Sequence, residues 1–223
     1  ELNRQISRMR AEKEAAPDAA GYAALEQRLR DENIEFVPFF KTIEPAAEMS
    51  DALGRVIEEI IGPQRLCAIL VAGSQQKKAQ AAVIAEAYNV PAIDICENLP
   101  PAPAPGGLRR FLTFRGDFAA TAENYAAALL DDYRYVYSDD ELLRGSAGNM
   151  VSAGGLVREE GSLRRVDATT NRFVGTAARE STRREQIAIL QAQADEEAAA
   201  LKNLRESLDV VRSRQNHVGA IIE

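Results

Sequence analysis

The chain has 223 residues, with 27 Lys and Arg against 34 Asp and Glu, a net charge of −7 and 46% hydrophobic residues. That length holds one sizeable domain with appendages or two small ones, and the acidic balance excludes a surface that binds nucleic acid over its whole extent. No run approaches the roughly 18 apolar residues of a membrane span, and no cationic leader with an apolar stretch opens the chain, so a cytoplasmic protein is expected.

Basic charge is carried by 22 arginines against 5 lysines, and arginine suits bidentate contacts with phosphate or carboxylate. Cys67 and Cys96 stand in apolar, strand-like segments and read as buried reduced thiols. The first residue is Glu1 rather than Met, and the expectation is a piece of a longer protein.

In chain order, Leu2, Ile6 and Met9 make a 4-3 helical step that is interrupted near Pro17-Asp18. Tyr22, Leu25 and Leu29 give a second helical pattern ending around Asn33, so residues 1–32 are expected to be an N-terminal coiled-coil stub and helix. Apolar runs then alternate with helical patterns. Phe36 to Phe40 reads as a strand, and Ser50 caps a helix through Leu53, Ile57, Ile60 and Ile61 that Gly62-Pro63 stops. Leu66 to Ala72 reads as a buried strand, Gln75 to Tyr88 as a helix and Pro91 to Ile95 as another strand. "ENLPPAPAPGG" is a proline-rich, semi-rigid connector. Leu108 to Phe114, a helix around Thr121 to Leu130 and Tyr133 to Tyr137 continue the alternation, and Gly145 to Gly175 reads as short antiparallel strands. The class is α/β, with a domain over residues 33–178 and coiled-coil appendages.

The C-terminal segment, 179–223, carries the strongest signal. Thr182 and Glu185 form a capping box. Ile187, Leu190, Ala194, Glu197, Leu201, Leu204, Leu208, Val211, Gln215, Val218 and Ile222 then recur with 3-4 spacing. A helix of roughly 40 residues is about 60 Å long, whereas a domain of roughly 145 residues has a radius of gyration near 15 Å. Such a helix overhangs its domain, and its apolar stripe needs a partner. The expected seam is Leu2, Ile6 and Met9 with Ile187, Leu190, Leu201, Leu204, Leu208, Val211 and Val218. If length alone matches the register, the N-terminal stub faces Leu208 to Val218 in an antiparallel pair.

Catalytic chemistry is almost silent. The single histidine, His217, lies inside the heptads, no Cys/His set has metal-ligand spacing, and "LVAGSQQKKAQ" has one glycine and no Lys-Ser/Thr ending, so it is not a phosphate loop. No catalytic residue, metal or cofactor is expected. What remains is the passage from Leu156 to Arg184, with seven arginines against four acids. It reads either as a solvated hairpin with local ion pairs or as a phosphate-contacting patch through Arg158, Arg164, Arg165, Arg172 and Arg179.

"ALGRVIEEIIGPQRLCAILV" and "GGLVREEGSLRRVDATTNRFVG", followed by "STRREQIAILQAQ", resemble the hinge region of SMC-like proteins. Within them they are most similar to MukB-like subunits of the MksB and JetC type found in bacterial plasmid-defence (Wadjet) condensins. Phe173-Val174-Gly175 and then Arg179 stand where that pattern has an aromatic-Val-Leu-Gly and an Asn-Arg pair. The resemblance implies an SMC-type hinge, a mixed sheet with flanking helices on an antiparallel coiled coil. It implies homodimerisation, here placed at Gly154, Gly155, Leu156, Phe173 and Gly175. It also implies ATPase heads, kleisin and accessory subunits elsewhere in the full-length protein, DNA entrapment or loop extrusion, nonspecific DNA contact and a nucleoid location. This fragment would not itself be an enzyme. The competing expectation is a Rossmann-like ligand-sensing domain on a signalling coiled coil, which would show a cleft with convergent polar groups at strand C-termini.

Overall fold

The computed structural model describes residues 2–12, 14–95, 98–145, 148–167 and 171–222, with the side chains of residue 8 and residues 213–222 outside the description. Cys96 and the side chains of His217 and Val218 therefore lie outside the described residues. Two compact units are present: Ala15–Ser181, and the N-terminal residues through Glu14 together with the chain from Thr182 onward. Among the described residues no helix is long and apolar enough to cross a membrane.

In the larger unit, α2 (Tyr22–Asp31) turns Tyr22, Leu25 and Leu29 into the core, where all three are buried. That spacing marks one face of a 3.6-residue helix, and each such side chain contributes about 1.5–3 kcal/mol on burial. The helix expected with the N-terminal stub thus belongs to the domain. β1 (Phe36–Pro38) and β2 (Ile43–Pro45) flank a 3-10 turn at Phe39–Lys41. α3 (Asp51–Ile61) opens on Ser50, whose hydroxyl accepts the Leu53 N–H at 3.2 Å. It closes at Gly62, where φ of +77° is easy only for glycine. Pro63, free of any need for an N–H, starts α4 (Pro63–Leu66). The strand expected from Leu66 is therefore delayed to β3 (Ile69–Val71), which is wholly buried.

α5 (Gln75–Ala87) is capped by Ser74 and leads to β4 (Ala92–Ile93). The first sheet has the order β1-β3-β4, with β3 antiparallel to β1 and parallel to β4. β5 (Leu112–Phe114) pairs antiparallel with β2. The proline-rich connector before it is pinned by Arg109, which is 1% exposed. Its guanidinium holds Asp131 at 2.8 and 3.0 Å, Glu123 at 2.8 Å and the carbonyl of Pro101.

α6 (Ala119–Leu130) precedes the second sheet, built from β6 (Tyr133–Val136), β7 (Asn149–Ser152), β8 (Leu156–Glu159) and β9 (Ser162–Arg165) in that spatial order. α7 (Asp139–Arg144) crosses between β6 and β7, which makes that pair parallel. The expectation of short antiparallel strands after Gly145 holds for β7-β8-β9; β6, which lies before that stretch, pairs parallel with β7 because a crossover helix returns the chain in the same direction. One face of this sheet joins the main core through Tyr133, Val151 and Val157. On the other, Val136, Leu142 and Met150 make a small second core that Leu156 covers.

The last element, α8 (Thr176–Ile222), is one helix of 47 residues. It starts six residues before the capping box expected at Thr182, and Thr182 is a buried side chain within it. The cap that displaces the local one comes from a distant strand.

Candidate helix root and interaction edge

The start of α8 is held by two carboxylates from far away in sequence. Glu44 on β2 accepts the backbone N–H of Thr176 at 3.1 and 3.2 Å and its hydroxyl at 2.6 Å, and pairs with Arg115 at 2.7 Å. This caps the helix in trans, with negative charge where the helix dipole is positive. Glu58, 2% exposed on α3, uses one oxygen to accept the backbone N–H groups of Arg172 (2.9 Å), Phe173 and Val174 (3.0 Å). Asn171 closes the same turn: its amide donates to the Val174 carbonyl at 2.6 Å, and its oxygen accepts the Val174 N–H at 3.0 Å.

Arg179 completes the root. It is fully buried. Its guanidinium donates to the carbonyls of Phe40 (2.7 Å) and Phe173 (3.0 Å) and to the Thr176 hydroxyl (3.1 Å), and it lies 3.5 Å from Glu44. Its own carbonyl accepts the N–H of Ala15 at 3.2 Å, so the incoming and outgoing passages of the chain are joined at this residue. Arg179, expected among the DNA contacts, is thereby corrected: a side chain with no exposed surface cannot reach a phosphate. Gly175 and Phe173, expected at the dimer contact, also belong to the root. Gly175 is buried with φ of +99°, and a Cβ there would stand 2.6 Å from Pro45 Cδ. Phe173 packs against the main core.

Burial raises Glu44, but its hydrogen bonds to Thr176 and the charges of Arg115 and Arg179 outweigh that and hold it below the ordinary value. Burial wins at Glu58, which is raised despite three backbone N–H groups and Arg55. Burial also pushes the Cys67 thiol up to about 12, as expected of an inert structural cysteine.

The second feature is the outer edge of β9. Among the described residues no strand pairs with it. The β8–β9 hairpin turns at Glu160 (φ 49°) and Gly161 (φ 82°), the left-handed pair of a two-residue I′ turn. Leu163 is 51% exposed.

The remaining arginines sort by what they touch. Arg158 lies on the α7 face and donates to the carbonyls of Leu142 and Gly145 at the end of α7, which satisfies helix C-terminal oxygens. Arg165 holds Asp139 at 2.5 Å and the Gly154 carbonyl at 2.8 Å. Asp139 also accepts from Ser152, and its carboxyl is held below the usual range first by that hydroxyl and then by Arg165. Gly154 is required there, since a Cβ would come 2.8 Å from Asp139 Oδ1. Gly155 is buried in the β7–β8 turn, and Leu156 covers the second core. Arg164, on the opposite face, is 3.8 Å from Glu159. Arg172 is exposed.

In the smaller unit, α1 (Leu2–Ala11) runs against α8. Arg183 donates to the carbonyls of Met9 (3.4 Å) and Glu12 (2.9 Å), Arg10 reaches Gln191 at 3.4 Å, and Leu2 shares a groove with Gln193, Glu196, Glu197 and Ala200. Rising residue number on one helix meets falling number on the other, so the pair is antiparallel. The register differs from the expected Leu208 to Val218. α1 meets α8 from Arg183, beside Met9 and Glu12, to the groove that Leu2 shares with Gln193 through Ala200, which ends the overlap near Ala200. Ile6 is buried, while Leu2, Met9, Ile187 and Leu190 are half-buried. Leu201, Leu204, Leu208 and Val211 remain 53–62% exposed.

Glu44, Glu58 and Asn171 were not among the residues singled out from sequence. Glu58 carried a signal: in "GRVIEEII" it falls on the stripe of Gly54, Ile57 and Ile61, an acid where the helix face is otherwise apolar. The groove of about 500 Å³ along β6 is lined by Asp131, Asp132 and Glu141 as well as Arg110 and Arg134, and lacks convergent groups of one chemistry.

No protein-family model matches the chain, and no curated protein matches it. Among solved structures it is similar to the Pyrococcus furiosus Smc hinge domain with an extended coiled coil, at 14% identity over 92% of this chain and 75% of that one, with a TM-score of 0.48. It is also similar to an asymmetric dimer of the Geobacillus stearothermophilus SMC hinge domain, at 14% identity over 92% of this chain and 88% of that one, with a TM-score of 0.43.

Proposed function

We propose that the chain is the homodimerisation hinge of an SMC-like protein of the MukB-like, MksB/JetC type. In this reading it is a non-catalytic part of a cytoplasmic, DNA-associated machine that entraps or extrudes DNA in plasmid defence or chromosome organisation. The observation that carries the reading is the root. Ala15 and Arg179 join the incoming and outgoing passages, and α8 continues as a single helix whose apolar stripe stays exposed beyond α1. A domain built to bear load through a paired coil needs its helix fixed by strong, water-excluded contacts. Glu44, Glu58 and Arg179 are such contacts, buried or charge-assisted and each bridging more than a hundred residues of sequence.

The exposed stripe of Leu201, Leu204, Leu208 and Val211 is assigned to an antiparallel partner helix of the same arm. Kleisin and accessory subunits would bind elsewhere in the full-length protein, and the nonspecific DNA contact would rest on Arg164 and Arg172. Light scattering on the chain at tens of micromolar tests the core of the proposal. A dimer mass is expected, and a clean monomer contradicts it.

A further inference from the structure

We propose that the proline-rich strap from Leu99 to Pro105, between β4 and β5, is a docking ligand for a partner domain whose groove is lined with aromatic side chains and carries an acid at one end. This surface stands whether or not the chain dimerises.

Every residue from Leu99 to Pro105 is either a proline or stands directly before one. Proline holds φ at about −65°, and the residue before it is pushed out of the helical region. Both biases favour the polyproline II helix. Burial follows that helix. Pro100 and Pro103 are half-buried against the domain, while Leu99, Pro101, Ala102 and Ala104 are exposed. A period of three residues is that of polyproline II. The strap is held from its inner side. Asn124 of α6 donates to the Asn98 carbonyl, the buried Arg109 to that of Pro101 and Arg110 to that of Pro105 at 2.7 Å. The Gly107 N–H closes a turn on the Ala104 carbonyl at 2.8 Å. The carbonyls of Leu99, Ala102 and Pro103 accept no hydrogen bond from the described residues.

Composition and charge select what such a ridge meets. No charged residue stands between Asn98 and Leu108, although 27% of the chain is charged. Leu99 is 69% exposed, and with Ala102 it forms one edge of the extended helix. Tyr137, 76% exposed, lines one groove with Ala104 and Pro105 and continues the apolar surface past the turn. Aromatic grooves take polyproline ridges of this kind, using the uncovered carbonyls as acceptors. A strap that is already extended and pinned loses little entropy on docking. At the same end the exposed Arg134 lies over Gly106, where a Cβ would stand 3.3 Å from its Cγ. Arg134 makes no ion pair with the described residues; Asp131 and Glu141 nearby are taken by Arg109 and by the Tyr137 N–H. A cation beside the ridge gives the docked groove a direction by pairing with an acid on its rim.

The test uses the full chain and a panel of purified SH3-type domains, each with a tryptophan in its groove and acids at one rim. The chain contains no tryptophan, so selective tryptophan excitation reads the groove alone. Saturable micromolar binding to at least one domain is expected, competed by a free proline-rich peptide. Leu99→Asp should weaken it by about tenfold or more, and Ala102→Asp, on the same edge, should do the same. Both positions are exposed, so circular dichroism melting should match the parent, and either variant serves if the other misfolds. Arg134→Glu should weaken binding more at low salt than at high salt; no effect overturns the acidic end of the groove. Absence of binding across the panel, or equal binding by the parent and the Asp variants, overturns the docking surface. Neither result changes the dimer mass expected of the parent chain, so the hinge reading is judged separately.

Discussion

Glu58 Oε1 and the backbone N–H of Val174 meet at 3.0 Å across 116 residues of sequence. The same oxygen takes the N–H groups of Arg172 and Phe173. One side chain of α3 therefore supplies the acceptor for the turn that opens α8. A turn preceding a helix leaves its first N–H groups without intrahelical partners. When those groups are buried, a distant carboxylate is a way to satisfy them without water.

Replacing Glu58 tests that relationship. Glu58→Ala removes the acceptor that the Arg172 and Phe173 N–H groups share, with Val174 keeping Asn171, and should cost about 2–5 kcal/mol in urea denaturation, while Glu58→Gln keeps an acceptor oxygen and should lose less. The pH dependence has a definite sign. Glu58 is raised, so the folded chain binds more protons than the unfolded one between the ordinary value of 4.5 and the raised value. Its contribution is therefore most favourable at the acid end and falls as pH rises through that window. Glu44 is lowered and works in the opposite sense, its stabilisation being lost as pH falls through its folded value. Glu58→Gln should remove the first slope and leave the second. Identical urea midpoints for the parent, Ala and Gln variants at every pH would count against this account of the root.

Arg179 should behave as a structural residue. Arg179→Ala strands the carbonyls of Phe40 and Phe173 and part of the Glu44 charge, a loss of about 3–5 kcal/mol for a buried charged partner. A fall in melting temperature of about 10 °C is expected. Arg179→Lys should recover little, because an ammonium cannot reproduce the guanidinium fork that spans these acceptors. A lysine variant as stable as the parent would show that charge alone suffices.

The parts legible in the sequence were those with local causes. Ser50 caps α3 and Gly62-Pro63 stops it, and α5 falls within the helical pattern from Gln75 to Tyr88; each is decided within a few residues. The root was not legible, because its causes are remote. Thr182 and Glu185 form a valid capping pattern, yet α8 starts at Thr176 because Glu44 offers a stronger cap from another strand. The arginine passage misled in the same way. Its residues share a stretch of sequence, but the fold sends Arg179 into the core, Arg158 onto the end of α7 and Arg165 onto Asp139. Charge composition shows how many guanidinium groups there are and nothing about which carbonyls they will meet.

The coil register gives a direct distance test. Cysteines at Leu2 and Glu197, which line one groove, should crosslink within a single chain. Cysteines at Leu2 and Val211 should not, because 14 further residues of helix add about 21 Å. Efficient crosslinking of the second pair would restore the register expected from length.

The last prediction concerns DNA. With Arg179 buried, the proposed contact is assigned to the exposed Arg172 and to Arg164, which is partly exposed beside Glu159. Each neutralised phosphate contributes about 0.9 to the slope of log affinity against log salt, so two contacts give a slope of about −2. Five would approach −4.5 on the same scale, roughly. Binding should be sequence-independent, visible by fluorescence anisotropy on a short duplex at low ionic strength and lost near physiological salt. Replacing Arg164 and Arg172 with Glu should abolish it, in protein whose fold and dimer mass have been checked first, because Arg164 also lies beside Glu159. A slope steeper than about −4 would mean that more of the passage is accessible than the folded chain presents. No binding at about 20 mM salt, where the screening length is still above 10 Å, would mean that these arginines serve only the fold and the sheet edge.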